Sequence, residues 1–498
     1  MIAIIAGLLA ALWAIVSALR PGVDISVLTA PQASSLPADS TTWFVAGLCD
    51  LGPINQPILV TSINDFVNKC GARVSYSVLY DAIDTFFREG GSQAYVARVV
   101  GPGATYGSHT LLDSGAAVSL TATAKGPGSQ SSNISIKVLA GSQVNTYQLQ
   151  VLFNGVVVEQ SPDLFSQVDA VTWAATYSQY ITITVGASAN NPQTGGAAVA
   201  LSAGNDDRTN ITDAQWLTAL NLFTKDYGPG QVSAPGRTSD VGHTQLLDHA
   251  QAKFRTAILD AADTPTAATL QTAATNAGGT GNGQYGGMFA PWVTVPGVIS
   301  GTTRSVPPSA FVAGAIARSD PGNGPGTPAA GNNGIAQFVT NVSQPAWDDT
   351  TRDALNTSGV NVIRLIAGQV KIFGWRSLAN PNINPSWVPL GTVRYLQNLS
   401  ARAWKVGQSY LFQLIDGQGR TISRYVGALT ALLLADWNSG QIYGAASSDA
   451  FFVDAGPSVN TPATLAQNML ISNISVRPSP MAELIKIQIV NVPITQAV

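Results

Sequence analysis

Few residues in this 498-residue chain have the types and spacing to do chemistry. GNGQYG (281–286) carries the glycine spacing of a dinucleotide fingerprint. That chemistry needs a tight turn opening a helix, where free N–H groups meet a pyrophosphate. Here a Gly- and Thr-rich loop precedes the motif and a strand-like run follows it, so it reads as a loop. GPGATYG (101–107) follows a strand but has the wrong spacing and leads into no helix. Of three histidines, His243 and His249 lie six apart and fall on opposed faces of a helix. A helical metal site wants an i,i+4 pair, so together with Asp240 and Asp248 they read as parts of a capped, solvated helix. His109 sits in a loop with no nameable partner, and Asp206 and Asp207 follow Asn205 in a turn sequence whose side chains cap backbone. Cys49 and Cys70 make no disulfide framework, match no zinc spacing and read as buried free thiols. Walker A, nucleophile-elbow and HExxH motifs are missing from the sequence. The expectation is a chain that is not an enzyme, with no catalytic residues, no metal and no cofactors.

Charge is more informative. Lys and Arg number 25 and Asp and Glu 28, together 11% of the residues, against about 25% in an ordinary soluble domain. Hydrophobic residues make up 45%, enough to bury a core, which excludes disorder. A net charge of −3 and a pI of 5.6 exclude a non-specific nucleic-acid binder. A surface so poor in charge ends against lipid or against another protein. The charge is also divided: residues 350–498 hold 11 basic against 6 acidic side chains (net +5), leaving 14 against 22 (net −8) before them. Arg394, Arg402, Lys405, Arg420 and Arg424 crowd into 392–424 with Asp416 as the one acid. They read either as a solvated helical face or as a basic surface for an acidic partner.

The elements that must position these residues follow from the apolar pattern. TTWFVAGLC (41–49) reads as a buried strand. Thr61 to Gly71 reads as a short helix, with Ser62 and Asp65 spaced as a capping box and Gly71 as its stop. YSVLYDAIDTFFREGG (76–91) is an amphipathic helix and QAYVARVV (93–100) the next strand, so a parallel sheet begins. Residues 101–200 hold short β-type runs, a weak helix candidate near 163–180 and a hairpin turn around Asn154 and Gly155. The α/β rhythm resumes with a helix at 213–225, a strand at 231–235, a helix at 240–252 and strands at 254–260 and 288–295. Strands before and after the β-rich stretch are expected to share one sheet. From about 350 a third unit has strands at 360–366 and 370–375, helices near 392–408 and 421–437, and closing strands at 470–477 and 483–492.

The N-terminus is anomalous. Residues 2–19 carry no charge and end at Arg20 and Pro21, giving about 27 Å of helix, just enough for a bilayer core. Three readings stand: a membrane anchor, which would make the chain a membrane-anchored surface protein; a hydrophobic arm buried by partner subunits; or an upstream start codon that is not used.

The chain resembles the contractile phage tail sheath proteins from about Pro21 to Val492. PGVDISV (21–27) resembles the family's opening arm, and TTWFVAGLCDLGPINQPILVTSINDFVNKCG (41–71) with FFREGGSQAYVARVVG (86–101) its first α/β block. LSAGNDD (201–207), VSAPG (232–236), APW (290–292) and VPPSAFVAGAIARSD (306–320) recur there in comparable places. VNVIRLIAGQVKIFGWRSL (360–378), VRYLQNLSARAW (393–404) and SPMAELIKIQI (479–489) match the C-terminal block. The resemblance implies a multidomain α/β protein: a parallel-type α/β core interrupted by a β-rich insertion, plus an α+β C-terminal domain with strand-donating terminal arms. The expected divisions are a leader at 1–20, an N-terminal arm at 21–40, an α/β domain at 41–100 and 201–345, the insertion at 101–200, and a tube-facing C-terminal domain at 350–498.

The function so implied is that of a sheath subunit: a homo-oligomer in stacked rings around a tail tube protein, between baseplate and tail terminator proteins. It contracts to drive the tube through the host envelope. Its place would be the virion tail, assembled in the bacterial host cytoplasm, with no specific nucleic acid as partner and a membrane only if 2–19 is translated and retained. A headless contractile injection particle or bacteriocin reads the same way. Carried onto this sequence, the intersubunit arms are Pro21, Gly22, Val23, Ile25 and Val27, and Leu484, Ile485, Ile487 and Ile489. The charge pattern, not a family motif, makes Arg394, Arg402, Lys405, Arg420 and Arg424 the candidate tube-facing patch. Family arms begin only a few residues before the PGV-like segment, which favours the unused start.

Overall fold

The computed structural model describes residues 40–263, 265–344 and 347–488. The leader, the expected arm residues Pro21, Gly22, Val23, Ile25 and Val27, and Ile489 lie outside them.

β1 (Trp43–Gly47) is buried along its whole length, as a strand covered on both faces must be. Past β2 (Ile58–Val60) comes α1 (Ile63–Cys70). Ser62 caps the Asp65 N–H, while the Asp65 carboxylate reaches back to the Thr61 N–H, one residue beyond the expected box. Then α2 (Leu79–Arg88) crosses over to β3 (Ala94–Arg98), which pairs parallel to β1.

The chain next leaves this sheet. β4 (Ser108–Leu112), β5 (Val118–Ala124), β6 (Ile134–Ala140), β7 (Tyr147–Phe153), β8 (Val156–Gln160), β9 (Ile181–Val185) and β10 (Val199–Ala200) form two sheets of their own, ordered β10-β6-β7-β8 and β4-β5-β9. The β7–β8 turn has both Asn154 (φ 50°) and Gly155 (φ 78°) left-handed, the geometry that an Asn-Gly pair accepts most readily. α3 (Gln167–Thr176), set by a Ser166/Asp169 capping box, completes the separate core around Leu120, Tyr147, Leu149 and Trp173. The two ends of this region meet where Thr105 N–H donates to the Asn205 carbonyl at 2.7 Å.

α4 (Asp213–Asn221) returns the chain to the first sheet, followed by β11 (Gln231–Ser233), α5 (Asp240–Lys253), β12 (Thr256–Asp260), α6 (Ala267–Gly278) and β13 (Gly286–Ala290). β14 (Val293–Pro296), β15 (Thr303–Val306) and β16 (Asn341–Val342) make a small antiparallel sheet. The run expected as one strand at 288–295 is therefore two, divided at Pro291, which has no N–H for a ladder. α7 (Pro308–Asn323) and α8 (Asp349–Thr357) lead into β17 (Val360–Ile366) and β18 (Gln369–Ile372).

The large sheet runs β18-β17-β13-β12-β11-β1-β3-β2. Its six inner strands are parallel and both edge strands antiparallel to their neighbours. Strands from before and after the β-rich region thus share one sheet. β17 and β18, expected in a separate C-terminal unit, belong to it too, because their apolar residues complete its cores. Ile363 and Ile372 pack under α2 and α7 on one face, and Val360 and Val362 under α5, α6 and α8 on the other.

Two helices, α9 (Leu390–Gln408) and α10 (Arg420–Asn438), each 19 residues long, form a hairpin, and α9 begins against the sheet with Leu390 and Val393 buried in its core. β19 (Phe451–Asp454) and β20 (Asn473–Val476) pair antiparallel with no third strand among the described residues. Residues 483–488, expected to begin a strand, join no strand among the described residues.

Candidate functional site

The side chains that could have done chemistry are absorbed by the fold. His243 and His249 are not on a solvated helix, as expected, but buried against the sheet, since α5 sits on it with Leu246, Leu247 and Ala250. His243 Nε2 lies 3.0 Å from the Asp260 carbonyl and His249 Nε2 2.9 Å from Arg255 Nη1. Burial holds both imidazoles below their ordinary range. Asp240 and Asp248 accept from Asn276 and Asn282 at 2.9 and 2.8 Å, stitching α5 to its neighbours. Gly283 to Tyr285 is a short 3-10 turn running straight into β13, with no helix start for a phosphate. Asp207 accepts from the Gly103 N–H at 2.7 Å, far along the chain rather than in its own turn, where Asn205 Oδ1 accepts from the Asp207 N–H at 3.0 Å. No cluster of His, Cys, Asp or Glu among the described residues could hold a metal ion.

The five basic residues of 392–424 separate into two groups. Arg394 is 2% exposed and is no surface residue. Its Nη2 donates to Asp320 Oδ2 at 2.5 Å and its Nη1 to the Pro325 carbonyl at 3.0 Å. Arg402 forks onto Asp436 with Nη1 at 2.8 Å and Nη2 at 2.6 Å, and Tyr395 OH donates to the same carboxylate at 3.0 Å. Both are corrections to the expected patch, with one cause: the inner faces of α9 and α10 turn these guanidiniums onto carboxylates inside the protein. Lys405, Arg420 and Arg424 are exposed, with no acidic partner among the described residues.

Between them lies the turn of the hairpin, where Leu411, Phe412 and Leu414 are exposed, Leu414 by 89%. Asp416 is occupied in building that turn. It accepts from the N–H groups of Arg420 and Thr421 at 3.1 and 3.0 Å, which hold its carboxyl down to about 2. It therefore caps α10 rather than neutralising the cations. Tyr410 meets Tyr425 edge-on at 5.1 Å and braces the two helices below the turn. The free end of the hairpin thus presents three cations beside three exposed apolar side chains. The apolar turn was missed from sequence, although YLFQLI (410–415) between two helices is a signal, since loops rarely spend large apolar residues on solvent.

The C-terminal arm residues lie elsewhere. Glu483 accepts from Arg376 Nε and Nη2 at 2.7 Å each, and this pair fastens the root of the arm beside β17. Beyond it Leu484, Ile485 and Ile487 are all more than 70% exposed. Residues 484–488 join no sheet among the described residues, so their apolar side chains are left to solvent.

Neither a family model nor a curated protein matches the chain's sequence. Solved structures do match its fold. The sheath tail protein of Listeria innocua superposes with a TM-score of 0.60 at 15% identity, over 89% of this chain and 92% of that one. A chain of the anti-feeding prophage baseplate in its contracted state gives 0.59 at 18% identity, over 95% and 98%. A chain of the contracted sheath complex of an extracellular contractile injection system gives 0.54 at 15%, over 96% and 99%. The chain has, over nearly its whole length, the fold of the contractile tail sheath proteins.

Proposed function

We propose that this chain is the structural subunit of a contractile tail sheath, polymerising in stacked rings around an inner tube. The observation that carries the reading is the match over nearly the full length of both chains. The stretch at 484–488, outside every sheet among the described residues, supports it, because a subunit that donates a strand to a neighbour must leave one unpaired when alone. Pro21 to Val27 and the residues through Ile489 are the two donating arms, and the open β19–β20 pair is a sheet to which a strand can add. The tip of the α9–α10 hairpin, with Lys405, Arg420 and Arg424, faces the tube, while the β-rich region of residues 108–200 faces outward. Baseplate and terminator proteins close the two ends, in a virion tail assembled in the host cytoplasm.

Contraction needs little energy per subunit. A few kcal/mol of added intersubunit contact becomes large when many copies switch together. A sheath of a headless injection particle is the second reading, favoured by the match to an extracellular contractile injection system. Electron microscopy of the purified full chain at high concentration tests the proposal. Tubes of contracted-sheath appearance are expected, and a monodisperse monomer that never polymerises would sink it.

A further inference from the structure

The sequence holds four Asn-Gly pairs, beginning at Asn154, Asn282, Asn323 and Asn333. In such a pair the next backbone nitrogen reaches the asparagine side-chain amide with least obstruction, because glycine carries no Cβ. The fold treats the four unequally.

Three are held. Asn323 ends α7, where its Nδ2 donates to the Ser319 carbonyl at 3.1 Å and the Gly324 N–H to the Asp320 carbonyl at 2.8 Å. Asn333 Nδ2 donates to the Pro328 carbonyl at 3.2 Å and the Gly334 N–H to the Gly331 carbonyl at 3.3 Å. The Gly334 carbonyl is tied as well, accepting from the Ile372 N–H of β18 at 3.1 Å. Asn282 Nδ2 donates to Asp248 Oδ1 at 2.8 Å, and Gly283 is packed so closely that an added Cβ would lie 2.6 Å from the Leu378 carbonyl oxygen. In each pair the side-chain amide is bonded, and the following glycine is bonded or shut in.

Asn154 and Gly155 are different. Both are exposed at the β7–β8 turn, and nothing lies within 4 Å of a Cβ built on Gly155. The Asn154 N–H donates to the Asn133 carbonyl at 2.9 Å, but its side-chain amide and the Gly155 nitrogen make no hydrogen bond among the described residues. The turn leads into β8, an edge strand whose Val156, Val157 and Val158 are all exposed. Little buried contact is lost when such a turn opens, so opening is frequent.

We propose that Asn154 is a modification site, the one Asn-Gly pair of the folded chain that converts of its own accord to aspartate and isoaspartate. The Gly155 nitrogen gives up its proton and attacks the Asn154 side-chain amide carbon. A C–N bond forms, closing a cyclic imide, and the amide nitrogen leaves with that proton as ammonia. Water then opens the ring at either carbonyl. Breaking the bond to the side-chain carbon restores the ordinary backbone with an aspartate, and breaking the bond to the main-chain carbon leaves the backbone running through the side chain. One ammonia is lost and one water taken up, with no oxidant or cofactor. Either product places a negative charge on the turn. Isoaspartate also lengthens the loop by a backbone atom where Phe153 pairs with Val156, and hairpin register depends on that length. The site does not depend on the sheath reading.

The test incubates the full-length protein at low concentration in mildly alkaline buffer, once folded and once in urea. Peptide mass spectrometry follows each pair, with isoaspartyl methyltransferase labelling to tell isoaspartate from aspartate. In the folded chain the peptide carrying Asn154 should convert first, gaining the mass difference between a hydroxyl and an amino group as ammonia is released. The other three pairs should lag by about tenfold or more, the factor that one or two hydrogen bonds supply. In urea all four should convert at similar rates, which assigns the difference to the fold. Asn154→Asp should abolish the early ammonia release. Folded-state conversion of Asn282, Asn323 or Asn333 as fast as that of Asn154 would overturn the proposal. So would an Asn154 that stays intact in the folded protein while the unfolded chain converts.

Discussion

The two ends of the α9–α10 hairpin use the same residue types in opposite ways. At the root, Arg394 and Arg402 sit on Asp320 and Asp436, and Gln397 Nε2 donates to the carbonyls of Ala250 and Arg255 at 2.9 Å each. Every one of these contacts fixes α9 to α5, α7 or the residue before β12, or one hairpin helix to the other. At the tip, Lys405, Arg420 and Arg424 meet no carboxylate among the described residues, and Leu411, Phe412 and Leu414 meet no core. Exposed cations of this kind contribute little to folding, whereas a buried ion pair is expensive to break. The root is therefore structure, and the tip is exposed surface, which under the proposed function would meet the tube. The division of charge along the chain takes on a different meaning as well. Part of the C-terminal excess is spent internally, since Arg394 answers Asp320 from the acidic part of the sequence.

A single substitution should cost most at the root. Asp320 accepts from Arg394 at 2.5 Å and from Ser40 Oγ at 2.5 Å, with both ionic side chains 2% exposed. Asp320→Ala leaves a buried guanidinium without its partner, and the expected loss is about 3–5 kcal/mol. Urea unfolding followed by far-UV circular dichroism measures it. A loss under about 1 kcal/mol would mean that the root is no tighter than a surface ion pair.

A second contrast sets the interior against the tip through pH. Burial pushes the Asp260 carboxyl up to about 6, against the N–H and Oγ of Ser309 and the Gly236 N–H that favour its charged form. A carboxyl raised in the folded state stabilises while protonated, so its contribution is complete below pH 4 and is lost as pH rises through about 6. A rise of that size corresponds to roughly 3 kcal/mol. Asp416 at the tip runs the other way: its carboxyl lies at about 2, so its contribution is present above pH 4 and lost as pH falls through about 2. Urea midpoints across pH 3–7 should fall as the interior group ionises, and Asp260→Asn should flatten that fall. An unchanged slope in the variant would place the titrating group elsewhere.

How much of this was legible depends on how far each residue must look for its partner. β1, β3 and β12 are short runs rich in apolar residues, and both hairpin helices lie within two residues of where their periodicity puts them, because propensity and pattern are local. The Asn154–Gly155 turn was legible for the same reason. The fate of Arg394 and Arg402 was not, because Asp320 and Asp436 lie 74 and 34 residues away in sequence and a charge count cannot say which charges are paired. β17 and β18 were assigned to the wrong side of a boundary since an apolar strand reads the same whichever sheet it joins. The histidines of α5 misled for the opposite reason: polar letters in a helix suggest solvent, and only the sheet beneath shows them buried.

The tip carries the smallest effect on folding and the most specific one on assembly. Replacing Lys405, Arg420 and Arg424 by Glu leaves every root contact in place, since Arg402, whose carboxylate lies inside, is excluded from the set. The monomer should keep its unfolding midpoint to within about 1 kcal/mol, as surface substitutions away from buried features do. Assembly around a tube should fail, because three attractive charges have become repulsive toward an acidic partner. Salt supplies the control. Raising ionic strength shortens the range of exposed charge interactions to a few ångströms, so wild-type co-assembly with tubes should weaken in salt while self-association through the arms persists. Co-sedimentation of sheath with tubes, in low and high salt, reads both variables at once. Normal, salt-independent co-assembly of the triple variant would show that the cations at the tip do not touch the tube.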